Sequence, residues 1–188
     1  LASSQKPHTL FITCADSRVD PSMILQAIPG ELFICKVVGN LVPAHGAAVG
    51  GVSSAVEYAV TVLGVRHVVV CGHSDCGAMR AFLHPEKLKS LKAVEAWLEH
   101  ASTAIAESKD HHSHLEGDEF VEALTKENVI SQLQHLRTHP SVASRMRKGD
   151  LFIHGWYYDI GEGTVSAYDE EAQRFRPLEE GGVRKAVA

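Results

Sequence analysis

Cysteine is scarce in this chain, and no two cysteines are spaced Cys-x-x-Cys. Four thiols in 188 residues, Cys14, Cys35, Cys71 and Cys76, are too few to staple a fold. Without the paired spacing a thioredoxin-like redox site has no support. Reduced thiols are expected, some of them on a metal, in a cytoplasmic protein. Long hydrophobic runs are also missing. The longest, Val65 to Cys71, is short and carries Arg66, so no membrane span is expected, and no signal-peptide pattern is present. Positive charge is in deficit. A net charge of −5 with no basic face argues against nucleic acid or an anionic membrane as the main partner. Internal repeats and linkers are absent too.

What is present is an ordinary globular balance. Hydrophobic residues make up 45% and charged residues 22%, enough for one domain over residues 1–188 with a sizeable core. His111, His112 and His114 fall in a polar stretch that reads as a solvated loop.

Apolar periodicity divides the chain into alternating strands and helices. Thr9–Thr13 reads as a first strand. Asp20 caps a short helix from Pro21 to about Ala27, stopped by Pro29-Gly30. Glu31–Val38 is a second strand, followed by a Gly/Ala/Pro loop over Leu41–Gly51. Ser53 or Ser54 caps a helix running to Leu63, which Gly64 closes. The β-branched run Arg66–Cys71 is the central strand, broken at Gly72. A short helix is predicted over Cys76–Leu83, a long amphipathic one over Leu88–Glu107 with Leu91 facing the core, and a loop over Lys109–Gly117. Further helices follow over Phe120–Leu136 and Ser141–Met146. Strands over Asp150–Asp159 and Thr164–Asp169 flank a turn at Gly161–Gly163. The tail to Ala188 is polar and charged. This order predicts an α/β fold: a mostly parallel sheet flanked by helices, with an antiparallel edge strand.

In such sheets ligands sit beyond the carboxyl ends of the strands. Cys14 follows the first strand; His73 and Cys76 follow the third. If those strands are neighbours, the three share one ion. Two thiolates and an imidazole suit zinc, and a set of three leaves one position open for water. Cys71 is expected inside the sheet and Cys35 as a small buried core residue. Asp16, two residues from Cys14, pairs with Arg18, which keeps its carboxylate ionised. An ionised Asp16 would orient a zinc-bound water whose pKa the metal lowers to about 7. Asp75 reads as a helix N-terminal carboxylate.

Cys-x-Asp-x-Arg at Cys14–Arg18 and Gly-His-x-x-Cys-Gly at Gly72–Gly77 together resemble the β-class carbonic anhydrases. The resemblance runs from about Gln5 to Asp169. It includes Pro29–Phe33, Val38-Gly39-Asn40, Gly50-Gly51-Val52, Val56–Val60 and His154-Gly155-Trp156. Glu127–Ile130 and Thr138–Val142 look most like bacterial members of cyanate-operon type. The resemblance implies reversible hydration of CO2 to bicarbonate and a proton, one zinc per chain on Cys14, His73 and Cys76, and Asp16–Arg18 as catalytic dyad. It implies Gln5, Phe33, Val38, Tyr58 and Gly77 as substrate-binding residues. Part of that wall comes from a partner subunit in the family, so a homodimer or homotetramer is expected. In a closed form of the family Asp16 would be the fourth zinc ligand; an open position is expected here. The family's N-terminal helical arm is expected to be missing from this sequence.

One branch of the family has a non-catalytic bicarbonate site of Trp, Arg and Tyr. The matching residues here are Phe11, Lys36 and Tyr158, two of which differ, so that site is not expected. Two other readings stay open on the sequence. One is a relative that hydrolyses CS2 or COS, against which the matches at Gln5, Phe33 and Tyr58 weigh. The other is a fold-stabilising zinc site, which requires four protein ligands. His8, His45, His67 and His84 read as surface or core histidines rather than as a proton shuttle.

Overall fold

The structure, a computed structural model, describes residues 2–48 and 50–178. Strand β1 (Thr9–Cys14) is buried along its whole length, as an unbroken apolar run demands. Asp20 caps α1 (Pro21–Leu25) by accepting from the Ser22 and Met23 N–H groups. The helix closes at Gln26, whose φ is 51°, before Pro29 is reached. Strand β2 (Leu32–Val37) runs into a 3-10 turn over Val38–Asn40. Helix α2 (Gly51–Glu57) starts ahead of the expected serine cap, and widens into a π turn over Tyr58–Val62.

Strand β3 (His67–His73) continues through Gly72 rather than ending at Cys71. Short helices α3 (Gly77–Arg80), α4 (Pro85–Leu88) and α5 (Lys92–Leu98) lead to α6 (Ser102–His111). The long helix α7 (Gly117–Thr138) and α8 (Pro140–Arg147) precede β4 (Phe152–Asp159), β5 (Thr164–Asp169) and β6 (Arg174–Pro177). The tail beyond Leu178 lies outside the described residues.

The six strands form one mixed sheet in the order β2-β1-β3-β4-β5-β6. The first four are mutually parallel; β5 and β6 are antiparallel additions. The antiparallel edge is therefore β6 and not β5. Its single apolar side chain in a charged tail, Phe175, packs on Tyr168 with ring centroids 5.4 Å apart, too weak an alternation to read in sequence.

Helix α7 sits directly on the sheet. A methyl group at Gly72 would stand 2.9 Å from side chains of both Thr125 and Val129. One at Gly155 would stand 2.8 Å from Val129 and 3.0 Å from Leu133. These two glycines let the helix approach β3 and β4 more closely than any side chain would permit.

The stretch expected as one helix over Leu88–Glu107 is broken at Leu91, where ψ is 61°, and again at a 3-10 turn over Glu99–Ala101. Leu91 is 51% exposed rather than core-facing. A straight helix of that length would extend about 30 Å. The breaks instead fold Leu88, Leu98, Ala101 and Ala104 back onto one apolar cluster with Met79 and Leu124. That cluster contains Cys14 and Cys76, so the broken segment walls these two cysteines from water.

Candidate metal centre

Strands β1 and β3 are hydrogen-bonded neighbours with Thr13 opposite Cys71. Cys14 and His73 therefore leave the sheet at the same end, and a turn after β3 brings Cys76 back to them. The ligand atoms of Cys14, His73 and Cys76 all lie within 4.8 Å of one another, and all three residues are buried. Among the described residues the cluster has three members, so a tetrahedral ion held by them would keep one position without a protein ligand.

His73 is oriented for coordination. Its Nδ1 donates to the Ser74 carbonyl at 2.8 Å, which leaves Nε2 with its lone pair inward. That Nε2 is buried without a hydrogen-bond partner among the described residues. A buried lone pair facing two thiols is a cost the fold bears unless a cation completes it. Two sulfurs and one imidazole match the soft, tetrahedral preference of zinc, so the residues fit the ion.

The thiols are electronically coupled. The Cys14 thiol is pulled down, first by the hydrogen bond from Cys76 and then by His73 and the Asp16 and Gly39 N–H groups, against its burial. The same bond and burial push Cys76 up. Gly39, at φ +69°, donates its N–H to Cys14 Sγ at 3.4 Å. Gly39 is held in turn by α7: Asn128 donates to its carbonyl at 3.0 Å, and Gln132 donates to Asn128 at 2.9 Å. The Gln132 amide oxygen accepts from the Val42 N–H at 2.8 Å. Sequence reading did not find this ladder; its signal is polar residues recurring at i and i+4 on a face of α7 that also carries Val121 and Leu124.

Asp16 and Arg18 stand at the rim. Arg18 Nε and an Nη donate to the two Asp16 carboxylate oxygens at 3.0 and 2.8 Å, and the Arg18 N–H adds a third bond at 2.9 Å. The guanidinium holds the Asp16 carboxyl well below the usual carboxylate range. Asp16 Oδ2 lies 3.9 Å from His73 Nε2. Arg18 also donates to the Asp75 carboxylate and carbonyl, both at 3.2 Å. Asp75 accepts two bonds from Arg80, which reaches on to Asp118 at 2.8 Å. Asp75 is thus a link in a charge chain and makes no helix-capping bond, a correction to its expected role.

Phe33 and Tyr58 come together, ring centroids 6.0 Å apart. Val38 and Tyr58 are exposed, at 40% and 44%. Gln5 is exposed on the segment before β1. Gly77 opens α3, with nothing within 4 Å of the space a side chain would take. Cys71 is fully buried and its thiol is pushed up to about 12 by burial. Cys35 is only half-buried, packed against the rim of the main apolar cluster rather than inside it, because β2 is an edge strand. Phe11 stacks edge-on against Trp156 in a buried cluster that Tyr158 flanks. Lys36 turns instead to the loop after β1, where its ammonium donates to the Asp16 and Val19 carbonyls at 3.0 and 2.7 Å.

Residues 9–165 match the family model described as carbonic anhydrase. The solved structure of the β-carbonic anhydrase CcaA superposes with a TM-score of 0.92 at 43% identity, over 94% of this chain and 86% of that one. The chain belongs to the β-class carbonic anhydrases. A carbonic anhydrase of Pseudomonas aeruginosa is 49% identical over 187 residues, spanning 100% of this chain and 84% of that protein. A tetrameric β-carbonic anhydrase structure from Sordaria macrospora aligns at 28% identity and a TM-score of 0.80, over 88% of this chain and 82% of that one. In this β-class carbonic anhydrase the family's metal chemistry thus falls on the one buried Cys-His-Cys cluster described.

Proposed function

We propose that this β-class carbonic anhydrase hydrates CO2 reversibly to bicarbonate and a proton, with one zinc held by Cys14, His73 and Cys76. The observation that carries this reading is the convergence of those three buried donors beneath a carboxylate that Arg18 holds ionised. Zinc, when bound, supplies the Lewis acidity that lowers the pKa of water to about 7.

The chain's own groups do the rest. Asp16, ionised and acceptor-only, takes a hydrogen bond from the attacking water and turns that water's lone pair toward the CO2 carbon. Arg18 fixes the Asp16 rotamer by a two-pronged contact and keeps it from turning inward onto the metal, which favours the open form over the closed one. Gln5, Phe33, Val38, Tyr58 and Gly77 line the CO2 pocket in this reading. The Phe33–Tyr58 ring contact and the open space at Gly77 support it. The exposure of Val38 and Tyr58 supports a second copy completing that wall, so a homodimer or homotetramer is part of the proposal. So are a single domain over residues 1–188, a cytoplasmic setting and the cyanate-operon subtype. No helix of the described residues is long and apolar enough to cross a membrane.

The test is stopped-flow CO2 hydration on protein with zinc quantified, comparing the native chain with Asp16→Asn. The expected outcome is one zinc per chain in both, and a rate lower by about 10²-fold or more in the variant. Full hydration by Asp16→Asn sinks the dyad role. Zinc without hydration in the native chain sinks the activity.

A further inference from the structure

The loop from Cys14 to Asp20 carries one metal ligand and both members of the dyad, yet its backbone is thinly tied down. Ala15 N–H bonds the Val37 carbonyl at 3.1 Å, and Val19 N–H bonds Asp16 O within the loop at 3.2 Å. Among the described residues, one side chain from outside the loop bonds the main chain of residues 16–19: Lys36 on β2. Its ammonium bridges the Asp16 and Val19 carbonyls, the two ends of that single turn. Val19 is fully buried, so the bridge fastens the dyad-bearing turn to an anchored residue.

We propose that Lys36 is a positioning residue for CO2 hydration: it pins the Asp16–Val19 main chain and thereby holds the Asp16 carboxylate over the metal centre. A charged donor to a carbonyl is stronger than a neutral one. A misplacement of about 1 Å in a reacting group costs up to about 10²-fold in rate. Lys36 touches neither substrate nor the metal ligands' side chains, so its whole effect passes through Asp16.

The inference rests on the proposed function, and the experiment separates the two. Lys36→Met, Lys36→Arg and Lys36→Gln are each made alone, and Lys36→Met also in the Asp16→Asn background. Zinc content, CO2-hydration kinetics and amide exchange over residues 15–20 are read. Lys36→Met is expected to keep one zinc per chain, lower kcat by about tenfold and speed exchange in the loop. Lys36→Arg, which supplies donors to both carbonyls, recovers most of the rate, and Lys36→Gln falls between. In the Asp16→Asn background Lys36→Met is expected to add no further loss, because the group it positions is already disabled. An unchanged kcat and unchanged exchange in Lys36→Met overturn the proposal, and so does a full additional loss in the double variant. If Lys36→Met does not fold, Lys36→Gln and its Asp16→Asn double carry the same comparison. An inactive native chain refutes the hydration reading instead.

Discussion

At the scale of the residue, the site is a matter of which lone pairs and charges have only one place to go. The His73 Nδ1 proton is taken by a carbonyl, so Nε2 faces the thiols. The guanidinium of Arg18 is divided between Asp16 and Asp75, so Asp75 holds the far side of the group that holds Asp16. Asp75 sits at φ 53°, a region that Asn also tolerates, so Asp75→Asn removes the charge without straining the turn. Exposed ion pairs are worth about 0.2–1 kcal/mol. kcat/KM for CO2 hydration is therefore expected to fall by no more than about fivefold in Asp75→Asn, well short of the loss in Asp16→Asn; stopped-flow rates of the two variants check the ranking. The Cys14–His73–Cys76 cluster and the Asp16–Arg18 pair were legible in sequence because each motif is short, its side chains have distinctive chemistry, and both motifs follow parallel strands that end on the same side of the sheet. Lys36 and Asp75 were not. Their contacts with the Asp16–Val19 turn span 17 to 57 residues, and neither residue type announces a contact at that range.

At the scale of the element, helix α7 does two jobs on two faces. One face packs into the hollows at Gly72 and Gly155; the other ties down the loop that donates to Cys14. Gly155→Ala drives a methyl group against Val129 and Leu133 at 2.8 and 3.0 Å. It is expected to cost about 1–3 kcal/mol of overpacking, seen as a lower urea midpoint. Gly51→Ala, with nothing within 4 Å, is expected to leave that midpoint unchanged or raise it slightly. The strands buried on both faces and the long helix were readable from periodicity. The break at Leu91 was not, because the apolar spacing of Leu88–Glu107 fits a straight helix. Only the curvature of the cluster around Met79 demands otherwise. The same limit applied to β6, whose pairing partner rather than its composition makes it a strand.

At the scale of the whole molecule, stability and synthesis are linked to parts remote from the metal. His67 and His154 on adjacent strands have ring nitrogens 3.0 Å apart, a contact that needs one donor and one acceptor and is lost when both rings are protonated. Burial, with the neighbouring His67, holds His154 down at about 4, and burial lowers His67 too. Below about pH 6.5, the ordinary histidine value, the unfolded chain takes up protons that the folded pair refuses. Their contribution to stability is therefore complete above that pH and is lost as pH falls toward about 4. Urea midpoints measured from pH 7 to pH 5.5 are expected to fall in the native chain and to fall less in His154→Leu. The arrangement of α7 over Gly72 has a consequence for biosynthesis. Cys14, His73 and Cys76 are all translated before α7, whose last residue is Thr138. At about 5–20 residues per second, the ribosome leaves an interval of roughly 3–12 s in which the complete ligand set is outside the tunnel or entering it while the helix that buttresses β3 is unfinished. Once they emerge in that interval, two thiols that the folded chain buries stand open to oxidants and to competing metal ions, so correct metallation must either wait for α7 or survive its absence.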